Sequence, residues 1–259
     1  WFEVWGFNAA QFLPLFHFAR LHRLPMLALN VERDLVRRIG RDGPEAIPES
    51  AREVLRQARK TPVVLLGESH DSAEHHRWQL DTPAALHAQR PDMVIGFEMF
   101  PRRVQPVLDR WVGGELSEAE FLERSQWSEV WGFDAALYLP LFHFARMHRL
   151  PMLALNVERD LVRRIGRDGP EAIPQSAGEG VGRAGAASKA YLQELHEAYP
   201  RHGERKSASL EDAAFLRFVA RQLTWARAMP EAIRQGQARY PGRQVVAIMG
   251  RGHTVPGAV

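Results

Sequence analysis

Apolar residues along this chain follow two periods. Short, continuous, β-branched runs occur at 62–67 (PVVLLG), 93–97 (MVIGF), 151–157 (PMLALNV) and 244–250 (QVVAIMG), and 25–31 repeats the third of them letter for letter. Continuous rather than alternating runs suit strands covered on both faces of a parallel sheet. Between the runs, apolar positions recur at helical spacing, as in Val104, Val107, Leu108, Trp111 and Val112. Ser117 and Glu120 have the S-x-x-E form that predicts a capping box leading into Phe121 and Leu122. A helix is expected over 134–149, with Pro140 either kinking it or marking its first turn. An amphipathic helix is expected over 211–229, and the Gly-rich 177–187 and polar 200–209 are expected as flexible loops. Strands alternating with helices predict an α/β fold: a mainly parallel central sheet flanked by helices, with the helices of about 101–149 as an inserted helical subdomain.

The chain also repeats itself. Residues 1–50 reappear at 127–176, shifted by 126 positions, with 44 of the 50 pairs identical. The differences are Phe2/Ser128, Asn8/Asp134, Gln11/Leu137, Phe12/Tyr138, Leu21/Met147 and Glu49/Gln175. A solenoid needs at least about three stacked copies, so 1–50 reads as an extra copy with no site of its own and 51–259 as the α/β domain. Both PMLALNV strands suit the same slot in a sheet. The extra copy is therefore expected to dangle, to add an edge layer, or to exchange into a neighbouring molecule.

Composition narrows the function classes. With no cysteine among 259 residues, disulfide frameworks, thiolate metal sites and cysteine catalysis are excluded. The 34 basic and 31 acidic groups alternate in sign along helices, as at Glu158-Arg159-Asp160, so no nucleic-acid partner is expected. No apolar run approaches the roughly 20 residues of a transmembrane helix, and no signal-peptide pattern is present.

Polar chemistry gathers where the runs end. The first leads into Gly67-Glu68-Ser69-His70, the second into Glu98, the third into Asn156 and Arg159, and the fourth into Gly250-Arg251-Gly252-His253. Ligands of open parallel sheets bind beyond the carboxyl ends of the strands, so these groups are expected on one rim. Carboxylates and imidazoles without sulfur suit a divalent metal ion such as Mn, Co, Fe or Zn, or general acid/base work. His75 and His76 open a helix after Ser72, facing either the rim or a solvated first turn. The stripe Phe142-His143-Phe144 either covers a flat ligand or is core.

The segments VVLLGESHDSAEHHRWQL, MVIGFEMFPRRVQPVLDRW, YLPLFHFARMHRLPMLALN and VVAIMGRGH, in that order over most of 62–253, resemble the ChaN-like haem-binding uptake family of the Tiki superfamily. The resemblance implies an α/β domain with a helical subdomain, haem as cofactor, a role in iron acquisition, a homodimer, and a bacterial envelope or periplasmic location. It implies Tyr138 as the candidate haem ligand, a residue type known to bind haem iron, whereas copy one has Phe12 there. Asn156, Arg159, His75 and His76 are supporting candidates. The superfamily at large implies an alternative, a metal-dependent hydrolase in which Glu68, His70, Glu98 and His253 are both metal-binding and catalytic, with a metal-activated water. A third reading is a non-catalytic interaction protein.

Overall fold

The computed structural model describes residues 26–29 and 56–250, apart from Pro170, Ala172, 174–177, 183–186, Ser188 and 200–208. Five strands form one sheet in the order β1-β2-β5-β3-β4. They are β1 (Met26–Leu29), β2 (Val63–Glu68), β3 (Met93–Pro101), β4 (Met152–Asn156) and β5 (Gln244–Gly250). The pairs β1/β2, β2/β5 and β3/β5 are all parallel. Every residue of β2, β3 and β5 is buried, which accounts for runs of unbroken hydrophobicity in the sequence. The fold is thus the α/β class that the periodicities predict.

The two PMLALNV strands do not share a slot. The copy-one strand, β1, lies beside β2 at one edge of the sheet, and the copy-two strand, β4, lies at the other edge. Of the three fates expected for the extra copy, its strand takes the added edge. The rest of 1–50 lies outside the described residues. Edge strand β4 is covered by a side chain: the Gln105 amide donates to Met152 O at 2.7 Å and accepts from Ala154 N at 2.9 Å. An amide bridging two backbone groups in this way occupies hydrogen bonds that an open edge would offer to another chain.

Two compact units divide the chain, one containing Leu24–Leu155 and Ala232–Thr254, the other Asn156–Glu231. In the first unit, helix α1 (Ala73–Gln89) starts at Ser72, whose side chain accepts from His75 N, a standard way to satisfy an orphan donor of the first turn. Helices α2 (Gln105–Val112), α3 (Glu118–Arg124), α4 (Trp127–Val130) and α5 (Leu139–Met147) make the insertion between β3 and β4. The capping box at Ser117 and Glu120 is present in full. Pro140 lies in the first turn of α5, after a separate 3-10 turn at Ala135–Leu137. There its missing N–H costs nothing, because first-turn donors have no helical partner.

An aromatic cluster holds the insertion to β3. Phe100 lies 5.9, 5.6 and 5.4 Å from Phe121, Trp127 and Phe142, and Phe97 lies 5.1 Å from Phe142. Such pairs contribute about 0.5–1.5 kcal/mol each beyond their area burial. Both indoles in the cluster find partners: Trp111 Nε1 donates to Phe142 O and Trp127 Nε1 to Phe133 O. Phe142 and Phe144 are buried, so that stripe is core, while His143 faces outward and pairs with Glu118 at 2.8 Å.

In the second unit, α6 (Arg159–Asp168) packs Leu161, Val162 and Ile165 against Val157 and Ala228. Helix α7 (Lys189–Ala198) contributes Leu195 to a cluster with Tyr199, Phe215, Phe218 and Val219. Helix α8 runs over Ala213–Arg239, well beyond the expected 211–229, and its residues from Ala232 on belong to the first unit. Pro230 lies inside it, where a sequence reading stops because proline removes a helical hydrogen bond. The Gly-rich stretch is tied rather than loose where it is described. The Glu179 carboxylate accepts from Glu158 N, and Gly182 N donates to Glu231 at 3.0 Å.

Candidate functional site

Strand order brings the site together. Helix α1 carries the chain from β2 to β3, but β5, from near the chain's end, inserts between them. Register sets Glu68 opposite Gly250 and Phe97 opposite Ile248. The carboxyl ends of β2, β3 and β5 therefore deliver Glu68, Glu98 and Gly250 to one rim.

Glu68 is the hub. It is 1% exposed, and a carboxylate so buried must be paired or neutralised. Its Oε1 accepts from His70 Nδ1 at 2.8 Å and from the Tyr138 hydroxyl at 2.9 Å. His76 Nδ1 stands 3.0 Å from Oε2 as an ion-pair contact, and its Nε2 donates to His70 O at 3.1 Å. With an acceptor at each ring nitrogen, His76 is suited to the doubly protonated form. Burial works to raise the Glu68 carboxyl, but hydrogen bonds and charge from His70 and His76 outweigh it and hold the group below the ordinary carboxylate range. For His76, burial opposes charging, yet the Glu68 carboxylate overrides it and raises the ring above the usual imidazole value. Burial and the neighbouring Glu68 charge push the Tyr138 phenol upward, so it stays a neutral donor.

His70 is the outward member of this group. Its side chain is 31% exposed. Trp131 meets it edge-on at 4.7 Å, and Phe133, itself 38% exposed, lies 5.1 Å away. The other edge of the ring lies against β5. A Cβ on Gly250 would stand 2.7 Å from His70 Cε1 and 3.5 Å from Glu98 Oε2. The first distance is shorter than a Cβ tolerates and the second is ordinary contact, so glycine here leaves room for the His70 ring, which explains the residue at the head of the last G-x-x-H. Glu98 Oε2 accepts from Gly250 N at 2.5 Å.

Among the sequence candidates, Glu68, His70, His76, Glu98 and Tyr138 come together. His75 serves the adjoining loop, its Nδ1 accepting from Ser69 N at 2.9 Å. Asn156 and Arg159 belong to the other unit: the Asn156 amide oxygen accepts from Val157 N, and Arg159 opens α6. His253 and Arg251 lie outside the described residues. Among those described, no group of three or more His, Asp and Glu side chains is disposed to hold a metal ion. Of the hydrolase set, Glu68 is turned onto its ring partners and Glu98 onto the Gly250 amide, while His70 faces outward.

Sequence reasoning missed Gln79, Trp131 and Phe133. Gln79 is fully buried and donates to Leu66 O at 3.0 Å. It follows His76 by three residues, so a helical count would have put it on the same face. Trp131 and Phe133 precede Tyr138 in the turn between α4 and α5, where no periodicity marks them.

A family model of haem-binding uptake proteins, Tiki superfamily, ChaN, matches residues 1–62 and 54–258. The chain belongs to this family, and the first of the two matches covers the duplicated segment. Among solved structures, ChaN of Campylobacter jejuni, described as showing cofacial heme binding, is similar at 17% identity with a TM-score of 0.57. The match covers 77% of this chain and 74% of that one, a likeness of fold. A comparison with curated proteins gives no match. Among the described residues no helix is long and apolar enough to cross a membrane.

Proposed function

We propose that this protein binds haem at the rim headed by His70, as part of haem handling for iron uptake. The observation that carries this reading is the His70 imidazole, half open to solvent, with Nδ1 tied to a buried carboxylate and aromatic rings beside it. Histidines that bind metals characteristically hand their second nitrogen to a carboxylate, which fixes the ring and raises its basicity. Haem, when bound, would supply an iron open to a side-chain ligand and a flat apolar ring system. The residues fit such a group at His70: Trp131 and the exposed Phe133 offer ring surface to a porphyrin. They fit it less well at Tyr138, which is fully buried and donates to Glu68. Tyr138 serves here as the group that holds Glu68 in place, and it becomes an iron ligand only by leaving that carboxylate.

Titration of the purified full chain with haemin, followed at the Soret band, tests the proposal. A saturable Soret change is expected at micromolar haemin, weakened about tenfold or more in His70→Ala and retained in Tyr138→Phe. Absence of any Soret change at that concentration overturns haem binding. The reverse pattern of variants moves the iron to Tyr138.

A further inference from the structure

Six histidines of the first unit are described, and four have evident work. His70 and His76 hold Glu68, His75 accepts from Ser69 N, and His143 pairs with Glu118. The other two face each other. His87, in the last turn of α1, and His148, at the C-cap of α5, have ring centroids 4.4 Å apart and planes tilted by 52°. Phe144 packs against both, 5.7 Å from His87 and 4.6 Å from His148. Neither imidazole has a hydrogen-bonding or carboxylate partner among the described residues. The pair is distinct from the Glu68 cluster, because His87 follows His76 by 11 residues on α1, about 16 Å along a helix rising 1.5 Å per residue.

We propose that His87 and His148 form a two-imidazole site for a divalent transition-metal ion, with copper(II) bound most tightly and solvent filling the remaining positions. Two nitrogen donors without thiolate or carboxylate suit the later first-row ions, and the general affinity order peaks at copper. An ion about 2.0–2.1 Å from each nitrogen requires those nitrogens within about 4 Å of each other, a separation available to rings this close. The donors come from two helices and share the wall made by Phe144, so one side of the site is preformed. Half-buried His87 faces exposed His148, which gives an ion its path of entry. Burial and the adjacent His148 ring lower His87 from its ordinary value, favouring the neutral form that binds metals.

The test is a copper(II) titration of the full chain without haem, read by calorimetry and electron paramagnetic resonance. One equivalent with coupling to two nitrogens is expected. His148→Ala, at an exposed position, should lose that equivalent while thermal unfolding of the metal-free protein barely changes. His87→Phe keeps a ring against Phe144 and should lose it too. Haemin binding should be unchanged in both variants, so failure here is distinguishable from failure of the haem proposal. Copper binding that persists with two-nitrogen coupling in both variants, or a wild-type signal without such coupling, overturns the site.

Discussion

Both units of this protein bury glutamates, and Glu68 of the first and Glu231 of the second are satisfied in opposite ways. Glu68 is 1% exposed and Glu231 is 7% exposed. Glu231 is held by the Arg227 guanidinium at 2.6 Å, one helical turn away on α8, and by the backbone N–H of Gly182 at 3.0 Å. Both donors are fixed in charge, and the arrangement pins the Gly-rich segment to a helix. Glu68 takes two imidazoles and a phenol, groups that titrate or rearrange, and one of them reaches solvent. Burial of a carboxylate is therefore a poor guide to a site. The nature of its donors, and whether one of them faces outward, tells the two glutamates apart.

Truncating each glutamate breaks this comparison most severely. Glu68→Ala leaves His76 as a buried charge and the Tyr138 hydroxyl with only the His70 carbonyl, 3.3 Å away, to donate to, so urea unfolding should show a loss of about 3–5 kcal/mol. Tyr138→Phe removes the hydrogen bond to Glu68, a charged acceptor that keeps its two imidazoles, and the longer one to His70 O, and a loss of about 1.5–3 kcal/mol is expected. Glu231→Ala should cost less than Glu68→Ala, about 1–2 kcal/mol, because Arg227, whose side chain is 34% exposed, can turn to water and only the Gly182 amide is left wanting. Equal losses for Glu68→Ala and Glu231→Ala would remove the distinction between site and staple.

The smallest expected effect is on pH dependence, and it sharpens the contrast. His76 is raised from 6.5, so its stabilisation is complete below that value and is lost as pH climbs through its folded value. Glu68 is lowered from 4.5, so its stabilisation is present above that value and is lost as pH falls through its folded value. Both contributions hold between 4.5 and 6.5. Stability of the first unit should decline on either side of this window, and His76→Gln should flatten the alkaline limb. Unfolding curves across roughly pH 5 to 9 that superimpose for wild type and variant would mean His76 carries no charge in the folded protein.

Much of the fold was legible because it is local. Continuous apolar runs marked four of the five strands as buried on both faces, and the duplicate marked the fifth. Ser72, the Ser117–Glu120 box and Pro140 marked helix starts, since caps and first-turn prolines depend only on near neighbours. The end of α8 was misjudged at Pro230 for the same reason: local rules stop a helix there, and surrounding structure carries it on. The Gly-rich 177–187 looked loose because its anchor, Glu231, lies 49 residues from Gly182.

The chemistry divides along the same line. Residue types at the strand ends were enough to nominate Glu68, His70 and Glu98, because parallel sheets present their carboxyl ends on one rim whatever the strand order. Nothing in the spacing reveals that β5 inserts between β2 and β3, that Tyr138 crosses 70 residues to donate to Glu68, or that His87 meets His148. Those pairings join positions far apart in the chain, and they exist only once burial has fixed which helix lies on which strand. The same constraint separates the two identical MLAL strands to opposite edges of one sheet. Identical residues have identical propensities, so their different places come from the neighbours each one meets.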